Sequence, residues 1–154
     1  MNKKLKALIV VIGAGIGGVL YRLGGSSAGT LWRDIGVSAV SCLLLAILGV
    51  VQGFWQWLSL IPMFGLMWGA LSTYRYFLKK PENYKWYHYT MHGFFVAFAA
   101  LPYAWASGHW FWFVIRCIIC AAGVGAWSHF IKHDITEEVG RGVIITATTA
   151  LLLI

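Results

Sequence analysis

The chain alternates between long apolar stretches and short polar connections. A helix needs about 20 apolar residues to cross the hydrocarbon core of a bilayer, and five stretches come near that length: residues 7–23, 35–51, 54–77, 91–106 and 109–131. A sixth, residues 143–154, is long enough only if its helix begins near Ile135. The pattern predicts an all-α fold, a polytopic integral membrane helix bundle of about six transmembrane segments with the last one short. Residues 1–154 would form a single transmembrane domain.

The polar connections are unevenly distributed. Residues 51–53 and 107–108 predict tight turns, whereas the polar connections cover residues 24–34, 78–90 and 132–142. In an alternating path of six helices, the three polar connections share one membrane face. Eight of the twelve Lys and Arg residues lie there: Arg22, Arg33, Arg75, Lys79, Lys80, Lys85, Lys132 and Arg141. The positive-inside rule then places this face in the cytoplasm, although the Lys-rich N-terminus favours the opposite orientation.

The composition excludes an ordinary soluble domain. Hydrophobic residues make up 60% of the chain and charged residues 11%, against about 25% charged in a soluble protein. The net charge of +7 is explained by Lys and Arg that anchor the chain to anionic headgroups. No basic run is long enough for a nucleic-acid-binding arm, so we expect the lipid bilayer as a partner and no nucleic acid. The expected location is a cell membrane, taken to be the bacterial inner membrane.

The first apolar stretch is rich in glycine. Gly13, Gly15 and Gly18 match the G-x-G-x-x-G fingerprint of dinucleotide-binding proteins, and Asp34 follows at a suitable distance. That motif requires a strand before the turn and a parallel sheet around it, and nothing downstream predicts a sheet. We therefore expect a membrane helix in which Gly13 and Gly17 form a close-packing face. Such a face also predicts self-association into a homo-oligomer.

Four of the five histidines form two H-x-x-x-H pairs on the polar face. Residues four apart lie on one side of a helix, and two imidazoles so placed can bind zinc or another transition metal. Carboxylates follow the second pair and could complete the site. The predicted metal ligands are His88, His92, His129, His133 and Asp134. The alternative is that these histidines simply lie at the membrane interface, as do the Trp and Tyr residues around the first pair.

Glu137, Glu138 and Arg141 follow the second histidine pair and are the predicted catalytic residues. Ionisable groups in membrane segments are costly and by default indicate function. Glu137 precedes Arg141 by four residues, the favoured order for a helical ion pair. Glu138 is then either a proton acceptor or the partner of another arginine. The alternative is a solvated helix start, where carboxylates favour the positive end of the helix dipole.

Four further arginines need partners. Arg22, Arg33 and Arg75 flank the polar connections and are predicted to bind an anion such as a lipid phosphate, or a carboxylate of the last segment. Arg116 lies inside an apolar stretch and requires an acidic group, a backbone carbonyl or a path to the interface. The sequence names no partner for it.

Two functions of different classes follow. The preferred one is a non-enzymatic membrane component, an oligomeric channel or small transporter, with the polar face as its vestibule. The alternative is a membrane-embedded metal-dependent hydrolase that acts on a lipid phosphate or another substrate at headgroup level. A divalent metal such as zinc would be its cofactor, since a bound metal generates hydroxide at neutral pH.

Overall fold

The computed structural model describes residues 2–23, 36–37, 39–41, 44, 85–101, 104–105, 108–132 and 134–153. Within these ranges the chain is helical and contains no strand, which confirms the predicted all-α class. The α-helices are α1 (Lys3–Leu23), α2 (Trp86–Ala97), α3 (Trp110–Phe130) and α4 (Asp134–Ala147). Two 3-10 segments, Phe98–Ala100 and Thr148–Leu153, continue α2 and α4.

Helices α1 and α3 correspond to two predicted membrane segments. Helix α1 ends where predicted and begins four residues earlier than residue 7, while α3 is one residue shorter at each end than 109–131. Each has 21 residues, a length of about 31 Å. Among the described residues, these are the two helices that are long and apolar enough to cross a membrane.

The other two helices begin earlier than their apolar stretches. Helix α2 begins at Trp86 rather than residue 91, because the backbone N–H of Lys85 donates a hydrogen bond of 2.8 Å to Nδ1 of His88 and so caps the first turn. Helix α4 begins at Asp134 and so meets the condition set for the short sixth segment. With its 3-10 continuation it reaches about 33 Å. Segment 54–77 and most of 35–51 lie outside the described residues.

The helices pack in antiparallel pairs. Gly17 of α1 lies against Thr146 of α4, while Arg22 near the end of α1 meets Glu138 near the start of α4. Helix α2 runs along α3 in the same way, with Trp86 near His129 at one end and Phe98 near Phe113 at the other. Helix α4 also packs on α3. The ends of α1 and α3 therefore lie beside the starts of α2 and α4.

The turn between α2 and α3 lies at the opposite end of the bundle. The backbone N–H of Gly108 donates to the carbonyl of Ala104 over 2.9 Å, and Gly108 has a φ of 73°. This left-handed conformation favours glycine. The tight turn predicted at residues 107–108 is thus centred on a residue suited to it.

Glycines bring α1 and α4 into backbone contact. A Cβ atom on Gly142 would lie 2.6 Å from the carbonyl oxygen of Gly17 and 2.7 Å from Cβ of Tyr21. Gly13 is covered in a similar way by the side chain of Leu44. The close-packing face predicted for α1 exists, and Leu44 and α4 occupy it within the chain; the homo-oligomer stays a prediction. Because Gly15 lies mid-helix in α1, the dinucleotide motif is also absent here.

The outward surfaces of α1 and α3 are apolar. In an apolar stretch of 18 residues, only 33% of α1 and 39% of α3 is buried inside the bundle. The core helix of a soluble protein is mostly buried. The exposed side chains are large and hydrophobic, among them Leu8, Val11, Phe111 and Ile118. Such surfaces suit contact with hydrocarbon.

Candidate functional site

Polar side chains lie together at one end of the bundle, which we call the polar end. It is formed by the last turns of α1 and α3 and the first turns of α2 and α4. Among its described residues are Arg22, Lys85, His129, Lys132 and Glu138. The predicted gathering of polar connections on one face agrees with this geometry where the chain is described. The three N-terminal lysines begin α1 at the other end.

Tyr21 and His92 form a buried polar contact below the polar end. The hydroxyl of Tyr21 and Nε2 of His92 are 3.0 Å apart, and their rings meet edge to face with centroids 6.1 Å apart. Tyr21 is 1% exposed and His92 is 2% exposed. The interfacial alternative for the histidines is therefore wrong for His92, because this side chain packs in the core between α1 and α2.

Arg141 lies beside this contact. Its guanidinium carbon is 4.2 Å from the centroid of the Tyr89 ring and 5.2 Å from that of Tyr21, within the range of cation–π attraction. Arg141 is 5% exposed, and within the described part of the chain its Nε has no hydrogen-bond partner. We call Tyr21, Tyr89, His92 and Arg141 the Arg141 cluster. It joins α1, α2 and α4.

An ion pair lies above the cluster. Nη1 of Arg22 donates to Oε2 of Glu138 over 2.9 Å, with the Arg22 side chain 44% exposed and that of Glu138 17% exposed. Of the two roles left open for Glu138, the structure shows the partnership with an arginine. Opposite ends of two antiparallel helices meet here, so the cation lies at a helix C-terminus and the anion near an N-terminus, both favourable positions. Arg22 is accordingly engaged within the chain.

The beginning of α4 is fixed against α3. Nε1 of Trp127 donates to the carbonyl of Thr136 over 3.3 Å and to that of Glu137 over 3.1 Å. Gly140 lies directly under the same indole ring, where a Cβ would overlap it. This contact holds the first two turns of α4, which carry the charged segment, in place at the polar end.

The predicted metal ligands occupy different surroundings. His92 contacts Tyr21, His88 receives the backbone N–H of Lys85, and His129 is exposed with its ring 6.1 Å from that of Trp86. No group of three or more His, Cys, Asp or Glu residues that could hold a metal occurs among the described residues. His133 and the Asp134 side chain lie outside them, so the zinc site stays a prediction. The predicted anion-binding residues Arg33 and Arg75 lie outside them as well.

Arg116 has the partners that the sequence left open. It is 1% exposed, and its guanidinium donates to the carbonyl of Ala97 and, over 3.3 Å, to that of Ile145. Both carbonyls are close to the points where α2 and α4 change into 3-10 segments. A 3-10 turn redirects the hydrogen bonds of the helix end, here with Leu101 donating to Phe98 instead of Ala97, which leaves an acceptor for Arg116.

Two residues of the cluster were missed in the sequence. Tyr21 follows Gly17 by four residues and so continues the close-packing face of α1, a signal that was available. Tyr89 was treated as an interfacial aromatic residue. Its position over Arg141 depends on the packing of α2 against α4, which no local pattern specifies.

Where the structure describes it, the chain is all-helical, with two helices long and apolar enough to cross a membrane and a buried arginine cluster near one end. No known protein family, curated protein or solved structure matches the chain.

Proposed function

We propose that the chain is a small multi-pass integral membrane protein of the channel or transporter class, with the Arg141 cluster as its site. The observation that carries the proposal is the burial of a guanidinium, 5% exposed, between the rings of Tyr21 and Tyr89. Arginine keeps its charge in proteins, so Arg141 places a permanent cation between helices. Apolar residues usually stabilise such a position at least as well, which makes a functional role the better explanation.

The membrane assignment is supported by the surfaces of α1 and α3. Both expose large apolar side chains over about 31 Å, the thickness of the hydrocarbon core, and a soluble bundle of this kind would carry an extensive apolar patch. We place the polar end in the cytoplasm and the protein in the bacterial inner membrane. Anionic lipids and further copies of the chain would be its partners, and nucleic acid would not.

The chemistry of the cluster favours an anionic solute. Arg141 Nε is among the buried side-chain atoms without a hydrogen-bond partner in the described part of the chain. A solute that carries negative charge and acceptor oxygens would accept from this Nε and add to the attraction that Glu137 already exerts on the guanidinium. Arginine has this role in the pores of anion channels. The Arg22–Glu138 pair lies between the cluster and the solvent at the polar end.

The experiment is anion flux through proteoliposomes. Purified protein is reconstituted, and the efflux of chloride, nitrate, acetate and phosphate is compared with that of potassium. We expect flux of at least one anion, and at least a tenfold loss of it in Arg141→Met, with partial retention in Arg141→Lys because the charge is kept. Lys4→Gln, which removes an exposed charge at the other end of α1, is the matched control.

Two results would contradict the proposal. One is that none of the four anions shows flux, although vesicle flotation shows that the protein is membrane-integrated. The other is a flux that Arg141→Met leaves unchanged.

A further inference from the structure

An open groove of about 500 Å³ lies between α2 and α3, and its lining contains no residue of the Arg141 cluster. Its lining alternates bulky and small side chains: Trp86, Thr90, Ala122, Ala126, His129 and Phe130. The volume is within the range of small-molecule sites, about 300–1,000 Å³. The groove thus has room for part of an amphipathic molecule.

Small side chains line the floor of the groove, and large aromatic side chains line its walls. Ala122 and Ala126 are one helical turn apart on α3, and both are exposed. Trp86 and Phe130 stand beside them at the polar end, 51% and 78% exposed. Small residues flanked by aromatic ones leave a channel along the helix axis, and aromatic rings of this kind settle at the headgroup level of a bilayer. An extended hydrocarbon chain fits such a channel.

Two lysines lie close in the chain to residues that line the groove. Lys85 directly precedes Trp86, and Lys132 follows Phe130 by two residues; both lysines are exposed. Nζ of Lys132 lies 3.4 Å from the carbonyl of Ser128, which keeps this charge at the end of α3. Each lysine near a membrane surface attracts anionic lipid by about 1 kcal/mol. His129, three residues before Lys132, is a polar residue of the groove wall.

We propose that this groove binds one anionic phospholipid, with an acyl chain along Ala122 and Ala126 and its phosphate beside Lys85, Lys132 and His129. The apolar floor favours a lipid over free phosphate, because only a lipid fills it. The proposal rests on the membrane location given above but not on transport. Protein found in the soluble fraction would contradict both, whereas membrane-integrated protein without lipid selectivity would contradict this one alone.

The test is native mass spectrometry of the detergent-purified protein with phosphatidylglycerol and phosphatidylcholine. We expect one phosphatidylglycerol to be retained in preference to phosphatidylcholine. Ala126→Leu, which fills the floor, should abolish retention, and Val114→Leu, an exposed change elsewhere on α3, should not affect it. Lys132→Gln should weaken the preference about fivefold, the equivalent of one surface lysine.

Three outcomes would overturn the proposal: equal retention of the two lipids, undiminished retention in Ala126→Leu, and displacement of the lipid by an excess of inorganic phosphate. The last result would indicate a free-anion site. Circular dichroism of each variant checks that the helices are intact.

Discussion

Two buried arginines in the described part of the bundle are held in different ways. Arg116, 1% exposed, donates hydrogen bonds to backbone carbonyls of Ala97 and Ile145. Arg141, 5% exposed, instead contacts the rings of Tyr21 and Tyr89. Equal burial therefore accompanies different chemistry in the two regions.

We infer from this difference that Arg116 has a structural role and Arg141 a functional one. Arg116 connects α3 to the ends of α2 and α4, and it supplies donors to carbonyls at the changes into 3-10 helix. A buried carbonyl that loses its donor costs about 1–3 kcal/mol. The ring contacts of Arg141 contribute about 1–2 kcal/mol, which the desolvation of its charge offsets. We expect the fold to depend on Arg116 and the solute to depend on Arg141.

The largest effect is expected from a pair of identical substitutions. Arg116→Met should lower the free energy of unfolding by about 2–3 kcal/mol, because the Ala97 carbonyl loses its donor while the Ile145 carbonyl keeps the hydroxyl of Thr148. Arg141→Met should change it by less than about 1 kcal/mol. For a protein of this size the first change corresponds to a fall of roughly 10 °C in Tm. Thermal unfolding in detergent, followed by circular dichroism, measures both.

The comparison would fail if the two variants melted at the same temperature. A lower Tm for Arg141→Met than for Arg116→Met would reverse the two roles. Equal yields of the two variants in membranes would show that the measurement compares folded proteins.

A smaller effect should be confined to the Arg141 region. Gly142→Ala places a Cβ 2.6 Å from the Gly17 carbonyl oxygen and 2.7 Å from Cβ of Tyr21, so α1 and α4 must move apart. Overpacking of this kind costs about 1–3 kcal/mol. Gly15→Ala is the matched control, because nothing lies within 4 Å of its added Cβ, and it should stabilise α1 by up to about 1 kcal/mol.

The measurements are the Tm of each glycine variant and the exchange of amide hydrogens. We expect faster exchange in α1 and α4 of Gly142→Ala, with α2 unchanged near Ala97. Faster exchange throughout the bundle would mean that the two arginine regions unfold as a single unit.

The sequence predicted the helices whose apolar length alone defines them. Helices α1 and α3 each contain a long apolar stretch, so composition and length determine them. The start of α2 was misplaced by five residues, because its first turn is stabilised by the side chain of His88 on a local backbone group and not by apolar periodicity. Helix α4 was predicted only conditionally, since its first turns are charged.

The site was less predictable, because its contacts join residues far apart in the chain. Tyr21 and His92 are 71 residues apart, and a single sequence contains no signal for such a pairing. The partners of Arg116 are backbone carbonyls, which no residue type reveals. For Glu138 the sequence supplied a set of candidate arginines, and only the antiparallel register of α1 and α4 selects Arg22 from it.

The smallest effect concerns the ion pair that lies above Arg141. Arg22 is 44% exposed, and exposed pairs contribute about 0.2–1 kcal/mol. A double-mutant cycle with Arg22→Gln and Glu138→Gln should give a coupling energy in this range, and raising the salt concentration should reduce it. The charge-swapped variant, Arg22→Glu with Glu138→Arg, should recover only part of it, since each charge then opposes its helix dipole. A coupling energy well above 1 kcal/mol that resists salt would show that the pair belongs to the buried network, and Arg141 would then depend on Arg22 as well as on its tyrosines.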